Sequence, residues 1–138
     1  MDVVKKMIRR HEEYRETVYL DTEEIPTGGW GHAFHVGSKL PMDIWEQIFE
    51  YDFNLHADEF CKFKERFHLN TNAARDAALI DMMFCMGASR LRKFVKMITA
   101  LVLEDYQTAA DEILDSDFGR THKNRAAELA GIMRTGKL

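Results

Sequence analysis

The chain is poor in several features that usually define a protein class. It has two cysteines, Cys61 and Cys85, among 138 residues, too few for a disulfide framework. It has two prolines and no stretch rich in proline, glycine or serine, so no linker is evident. No apolar run approaches the roughly 18 residues of a membrane span, and the N-terminus lacks the apolar segment of a secretory signal. We therefore expect one folded domain with free thiols that is made in a cytoplasm and does not insert into a membrane.

The sequence also has few of the residue patterns that bind a metal ion or a nucleic acid. The six histidines form no ligand cluster, and His32 and His35 are the only close pair, so we expect no metal and no other cofactor. The net charge is −4, and the charged stretches lack the interleaved aromatics and base-reading motifs of a nucleic-acid binder, so we expect no such partner. A nucleophilic role for Cys85 would need a neighbouring base, and the sequence offers no clear candidate.

The remaining composition predicts a compact, mainly helical fold. An apolar content of 46% is enough for a core at this length. The glycines and β-favouring residues of segment 17–34 predict a hairpin or a three-stranded sheet. Asn72 as N-cap and Gly87 as C-cap predict a helix over 73–86. Apolar residues at helical spacing predict further helices over 2–12, from 42 to about 61 or 64, and near 91–102, 105–115 and 123–133.

Glu12, Asp21 and Thr27 are the side chains that best suggest chemistry. Two carboxylates can cleave a glycosidic bond with water, because one protonates the departing oxygen while the other activates a water on the opposite face of the sugar. The Thr27 hydroxyl could hold that water, and Gly28 and Gly29 follow it directly. These residue types are common, however, so their spacing alone favours charged surface positions over a catalytic site.

The surrounding residues resemble the catalytic hairpin of tailed-phage lysozymes of the T-four type. That family carries a Glu, eight residues, an Asp or Cys, five residues and a Thr, the interval found here from Glu12 to Thr27. Downstream, residues 77–87 resemble the family's central core helix, and residues 124–126 and 134–136 resemble its closing helix. The resemblance covers most of the chain. Departures are a shortened segment between His32 and Pro41, and Glu24 and Pro26 at the hairpin turn.

The resemblance implies an α+β, mainly α, lysozyme-like fold in a single domain over 1–138. Its small β-lobe would cover about 14–40. A long connecting helix, about 42–64, would lead to a helical lobe made of 1–12 and 65–138. Clefts between lobes are where polymeric substrates bind. The shortened β-lobe would supply fewer sugar subsites.

The resemblance also implies roles for individual residues. Glu12 would be the general acid, Asp21 the general base or electrostatic stabiliser, and Thr27 the water holder. His32 and Asp52 match a His–carboxylate pair that ties the β-lobe to the long helix, and Arg125 matches an arginine that meets the catalytic Glu. The family's cleft positions fall here at Gly31, Ala33, Phe84, Met97 and Glu112, of which Ala33, Met97 and Glu112 differ in type from the family pattern.

The resemblance and these residues together imply a monomeric endolysin-type lysozyme. Its substrate would be the β-1,4 bond between N-acetylmuramic acid and N-acetylglucosamine of bacterial peptidoglycan, cleaved with inversion. It would be made in the host cytoplasm and would reach the wall through a separate holin-like pore. Two alternatives stay open: a lytic transglycosylase, which does not need Asp21 and Thr27, and a non-catalytic wall-binding or structural protein of the same fold.

Overall fold

A computed structural model describes residues 2–12 and 14–138, so Met1, the first residue of the predicted segment 1–12, and Glu13 lie outside the described part. The chain divides into two compact units, Met1–Ile44 and Trp45–Leu138, which are described separately below. The fold is mainly helical with one small antiparallel sheet, and it agrees with the predicted α+β, mainly α, lysozyme-like class.

The first unit contains helix α1 (Asp2–Glu12) and a sheet of strands β1 (Arg15–Leu20), β2 (Pro26–Gly29) and β3 (His32–Ala33). The strands pair in the order β1-β2-β3, so β2 is central. Residues opposite each other are Tyr19 and Thr27 in the first pairing and Thr27 and Ala33 in the second. The sheet predicted for 17–34 is thus present, and its two turns both lie beside β2.

The second unit begins in the first turn of helix α2 (Met42–Arg66). Helix α3 (Ala73–Met86) follows, with the caps that the sequence predicted: the Asn72 side chain accepts from Arg75 N–H, and the Gly87 N–H donates to the Met83 carbonyl. Buried residues of α3 recur at helical spacing (Ala78, Leu79, Met82 and Met83). This face, with Phe60 and Phe63 of α2, forms part of the core.

Five further helices complete the second unit in the described chain: α4 (Ala88–Leu91), α5 (Val95–Val102), α6 (Tyr106–Leu114), α7 (Asp117–Thr121) and α8 (Lys123–Thr135). Helix α8 packs against α3, α6 and α7. Its buried residues, Ala126, Leu129, Ala130 and Met133, follow a spacing of three and four. The small alanines on this stripe let neighbouring helices approach closely.

Two details differ from the sequence-based prediction. The helix expected over 91–102 is broken, because Phe94 has ψ 58° and its ring packs against the core. The second is helix α7, which was not predicted: Ser116 caps it by accepting from the Gly119 N–H at 3.0 Å. No helix in the described part of the chain is long and apolar enough to cross a membrane.

Candidate active site

Thr27 lies in the central strand of the sheet and is only 4% exposed. Its hydroxyl donates to the Ile25 carbonyl at 3.0 Å. A threonine hydroxyl has one proton and two lone pairs. The proton is committed to Ile25, so the oxygen is left as an acceptor for any further partner.

Asp21 holds the β1–β2 turn together. Its Oδ1 accepts from the backbone N–H of Glu23 at 2.8 Å and of Ile25 at 2.9 Å. The Asp21 N–H in turn donates to the Ile25 carbonyl at 3.0 Å. Glu24 inside the turn has φ +61°, the left-handed conformation that suits glycine, which the resemblance gives as the usual residue there. Both side-chain bonds fall on Oδ1, which leaves Oδ2 for another partner.

Glu12 is the last residue of α1, and its carboxylate lies against the turn between β2 and β3. A methyl group built on Gly31 would come within 2.7 Å of Glu12 Oε2. The neighbouring Trp30 strengthens this junction, because the Arg9 guanidinium lies 5.0 Å from its ring centroid and the Tyr14 ring 4.9 Å away. The three expected catalytic residues therefore all belong to the first unit, and Gly31 is the residue that makes room for the Glu12 carboxylate.

Phe84 belongs to an aromatic cluster of the second unit. Its ring centroid is 5.6 Å from that of Phe49 and 5.4 Å from that of His56. Met97 and Glu112 border an open cavity of about 800 Å³ in the same unit. Met97 is fully buried, so it supports the wall from beneath, whereas Glu112 is half-buried.

Arg125 is held by Asp81 of α3. Its Nε donates to Asp81 Oδ1 at 2.6 Å, and its Nη2 donates to the Asp81 carbonyl at 3.2 Å. The hydrogen bond that Arg125 donates to Asp81 raises the pKa of Arg125 above its ordinary value, against a smaller opposing effect of burial. The sequence did not identify Asp81 as this partner. The predicted pairs Arg125–Glu12 and His32–Asp52 each join residues of different units, and they stay predictions.

A second pair that sequence reasoning missed joins Cys85 and His122. Cys85 Sγ and His122 Nε2 lie 4.0 Å apart at the border of the cavity. The two residues are 37 positions apart, so no local spacing could have revealed the pair. Among residues 2–12 and 14–138, no three or more His, Cys, Asp or Glu side chains are grouped so that they could hold a metal ion.

Comparison with known proteins identifies the family of the chain. The family model described as "Phage lysozyme" matches residues 9–134. A "Pre-baseplate central spike protein Gp5" of Enterobacteria phage T4 is 28% identical over 159 residues, which cover 96% of this chain but only 28% of the spike protein. A "Probable T4-type lysozyme 2" of Dictyostelium discoideum is 25% identical, covering 96% of this chain and 78% of that protein. A "Probable T4-type lysozyme 1" of the same organism is 24% identical, covering 98% and 95%.

The family match extends from the last turn of α1 to the last turn of α8, and so includes the hairpin with Asp21 and Thr27 as well as Arg125. The chain belongs to the phage lysozyme family.

Proposed function

We propose that this lysozyme-like protein hydrolyses the β-1,4 bond between N-acetylmuramic acid and N-acetylglucosamine in bacterial peptidoglycan. The observation that supports this best is the packing of the Glu12 carboxylate against Gly31. A general acid must be held at one place beside the scissile bond. The end of α1 and the β2–β3 turn would provide that position, in the unit that also carries Asp21 and Thr27.

The hydrogen bonds of the hairpin suggest how water would be used. The Thr27 oxygen, whose proton goes to Ile25, can accept one proton of a water molecule. Asp21 Oδ2 can accept the other, because Oδ1 is committed to the turn. A water held by two acceptors presents a lone pair to the sugar. Asp21 would take its proton as the bond to the anomeric carbon forms, and Glu12 would protonate the departing oxygen.

This scheme gives inversion at the anomeric carbon. A water must fit between the sugar and the base, and the two carboxyl groups of inverting glycosidases are about 6.5–9.5 Å apart for that reason. We expect Glu12 and Asp21 to have that separation in the complex with substrate. No metal or organic cofactor enters the scheme.

The remaining predicted residues would act around this centre. Gly31 and Ala33 would meet the saccharide from the hairpin, and Phe84 from α3, as an apolar surface for a sugar face. Met97 and Glu112 would border a further subsite. His32, Asp52 and Arg125 would support the catalytic residues rather than contact the reacting atoms.

The biological setting would be bacterial lysis. The protein would act as a monomer on the cell wall, after synthesis in the host cytoplasm and release through a separate holin-like pore. Neither nucleic acid nor insertion of this chain into the membrane is part of the proposal.

Digestion of purified peptidoglycan tests the proposal. Mass spectrometry of the products should show new reducing ends, released by water. The Glu12→Gln variant should lose most of the activity, since general acids contribute about 10²–10⁴-fold. Glu16→Gln, an exposed carboxylate of β1, is the matched control and should keep the parent rate.

Other products would assign the protein to another class. Anhydro ends in place of reducing ends would make it a lytic transglycosylase. Binding to the wall without any cleavage would make it a non-catalytic binding or structural protein. A Glu12→Gln variant that keeps more than about a tenth of the rate would exclude Glu12 as the acid.

A further inference from the structure

The cavity of the second unit is bordered by a thiol with a base beside it. Cys85, near the end of α3, and His122, between α7 and α8, both line this space of about 800 Å³. Cys85 Sγ lies 4.0 Å from His122 Nε2, and the thiol is partly exposed. The cavity has the volume of a site for a small molecule.

A chain of hydrogen bonds fixes which nitrogen of His122 can act as the base. The Thr121 hydroxyl donates its only proton to the Asp117 carbonyl at 2.8 Å. Its oxygen, 2.8 Å from His122 Nδ1, must therefore accept, so Nδ1 carries the proton of the neutral ring. Nε2 is then the unprotonated nitrogen, and it faces the Cys85 sulfur.

The His122 ring is held in this orientation from a second side. It stacks on the Phe118 ring with centroids 5.1 Å apart and planes at 21°. Phe118 is itself buried in the core. Packing on the ring face and hydrogen bonding at Nδ1 together orient Nε2, as a third group orients the base in enzymes with an activated nucleophile.

One cation of the second unit, Arg125, interacts with Cys85. The charge interaction with Cys85 is the smallest of the contributions that raise the pKa of Arg125, after the hydrogen bond to Asp81. The cavity border carries three cations (Arg90, Lys93 and Lys96) and three carboxylates (Glu112, Asp115 and Asp117). The cavity lining is therefore balanced in charge, and we expect reactivity toward small disulfides without a strict requirement for one sign of charge.

We propose that Cys85 is a nucleophilic thiol assisted by His122, and that it exchanges with low-molecular-weight disulfides to form an adduct in this cavity. His122 Nε2 takes the thiol proton, and the thiolate attacks one sulfur of the disulfide. A new sulfur–sulfur bond forms at Cys85 while the original one breaks, and the departing thiolate takes the proton from the imidazolium. Cys85 is oxidised to a mixed disulfide, and the reagent is reduced to one free thiol.

Cys61 provides an internal reference. It is exposed on α2, and no histidine of the described chain lies within hydrogen-bonding distance of it. Accessibility alone would make Cys61 the faster of the two thiols. The proposal requires the opposite order, because Cys85 has a base placed to take its proton as the sulfur attacks.

The test measures the rate of mixed-disulfide formation with cystine and with 5,5′-dithiobis(2-nitrobenzoate) at neutral pH. Cys61→Ser leaves Cys85 as the reacting thiol, and Cys85→Ser leaves Cys61. We expect Cys85 to react about tenfold faster than Cys61, because a neighbouring base activates a nucleophilic thiol. Intact mass and peptide mapping should place one adduct on Cys85.

Substitutions in the Cys61→Ser background then test the base. His122→Gln should slow Cys85 by about tenfold, and Thr121→Val should slow it less, because it removes only the group that orients the ring. His35→Gln in the first unit is the control and should leave the rate unchanged. Thr121→Val keeps the test valid should the His122 variant fail to fold.

A rate at Cys85 equal to or below that at Cys61 would overturn the proposal. So would an unchanged rate in folded His122→Gln, or, where that variant does not fold, in Thr121→Val. None of these measurements depends on wall hydrolysis, so they test the reactivity of Cys85 independently of the proposed function.

Discussion

The carboxylate of Glu12 occupies the space that a side chain at Gly31 would need: a Cβ there would lie 2.7 Å from Oε2. Gly31 also has φ +76°, a conformation that costs other residues roughly 1–2 kcal/mol. The glycine thus serves the turn and the carboxylate at once, and the two contributions can be separated by experiment.

Gly31→Ala should reduce wall hydrolysis strongly, because the added methyl must displace Glu12. Gly29→Ala is the matched control: Gly29 also has a positive φ, +62°, but a methyl there meets nothing within 4 Å. Both variants should lose a similar roughly 1–2 kcal/mol of stability, measured by denaturant unfolding. Equal activity in the two variants would show that the contact at Gly31 does not position Glu12.

Gly119 should be intolerant of any side chain. A methyl group there would lie 2.2 Å from the Leu114 carbonyl oxygen and 2.7 Å from that of Ile113, both backbone atoms. Gly119→Ala should therefore destabilise the second unit by about 1–3 kcal/mol or more, as overpacking does. Gly131→Ala in α8, where a methyl meets nothing within 4 Å, should instead stabilise by about 0.5–1 kcal/mol. Thermal unfolding that shows the same sign for both would contradict this.

Arg75 of α3 should be important for anchoring the end of α8. Its Nε donates to the Met133 carbonyl at 2.8 Å, its Nη2 to the Arg134 carbonyl at 3.4 Å, and its guanidinium stacks 3.6 Å from the Tyr106 ring centroid. Arg75→Met should cost about 1.5–3 kcal/mol, as expected for hydrogen bonds from a charged group. Arg92→Met, at an exposed arginine, should change the unfolding free energy by less than about 0.5 kcal/mol. A similar loss in both variants would mean that Arg75 makes no special contribution.

Asp105, the N-cap of α6, should stabilise the fold in a pH-dependent way. Hydrogen bonds from the side chain and backbone of Thr108 lower the pKa of Asp105 below its ordinary value. A carboxyl group with a lowered pKa stabilises the fold above its unfolded pKa, and this contribution is lost as pH falls through the lowered value. The difference in unfolding free energy between the parent and Asp105→Asn should thus be greatest near neutral pH and shrink in acid. A difference that stays constant down to about pH 2 would exclude this linkage.

Local signals in the sequence predicted the parts of the fold that depend on neighbouring residues. Asn72 and Gly87 bound α3 as predicted, because caps satisfy backbone groups within a few residues. The break before α5 was not predictable in this way, since no proline or glycine marks it. It follows from the packing of Phe94 against the core.

In the candidate site, too, the sequence predicted the local features but not the contacts made through tertiary packing. The sequence placed Glu12 at the end of a helix and Asp21 and Thr27 on a hairpin, as the structure has them. It could not show that Asp21 Oδ1 binds the turn, nor that Arg125 pairs with Asp81, 44 residues away. Such contacts depend on tertiary packing, which no local spacing records.

The anchoring of α8 has a consequence for the order in which the second unit can be completed during synthesis. Asn72 donates through Nδ2 to the Gly136 carbonyl, 64 residues later, and Arg75 donates to Met133, 58 residues later. The side chains at the start of α3 can therefore make these hydrogen bonds only after the Met133 and Gly136 carbonyls have left the ribosome, which is long after α3 itself. Until residues 133–136 emerge, the Arg75 guanidinium and the Asn72 amide have water in place of these carbonyls, and closure of this unit is a late event.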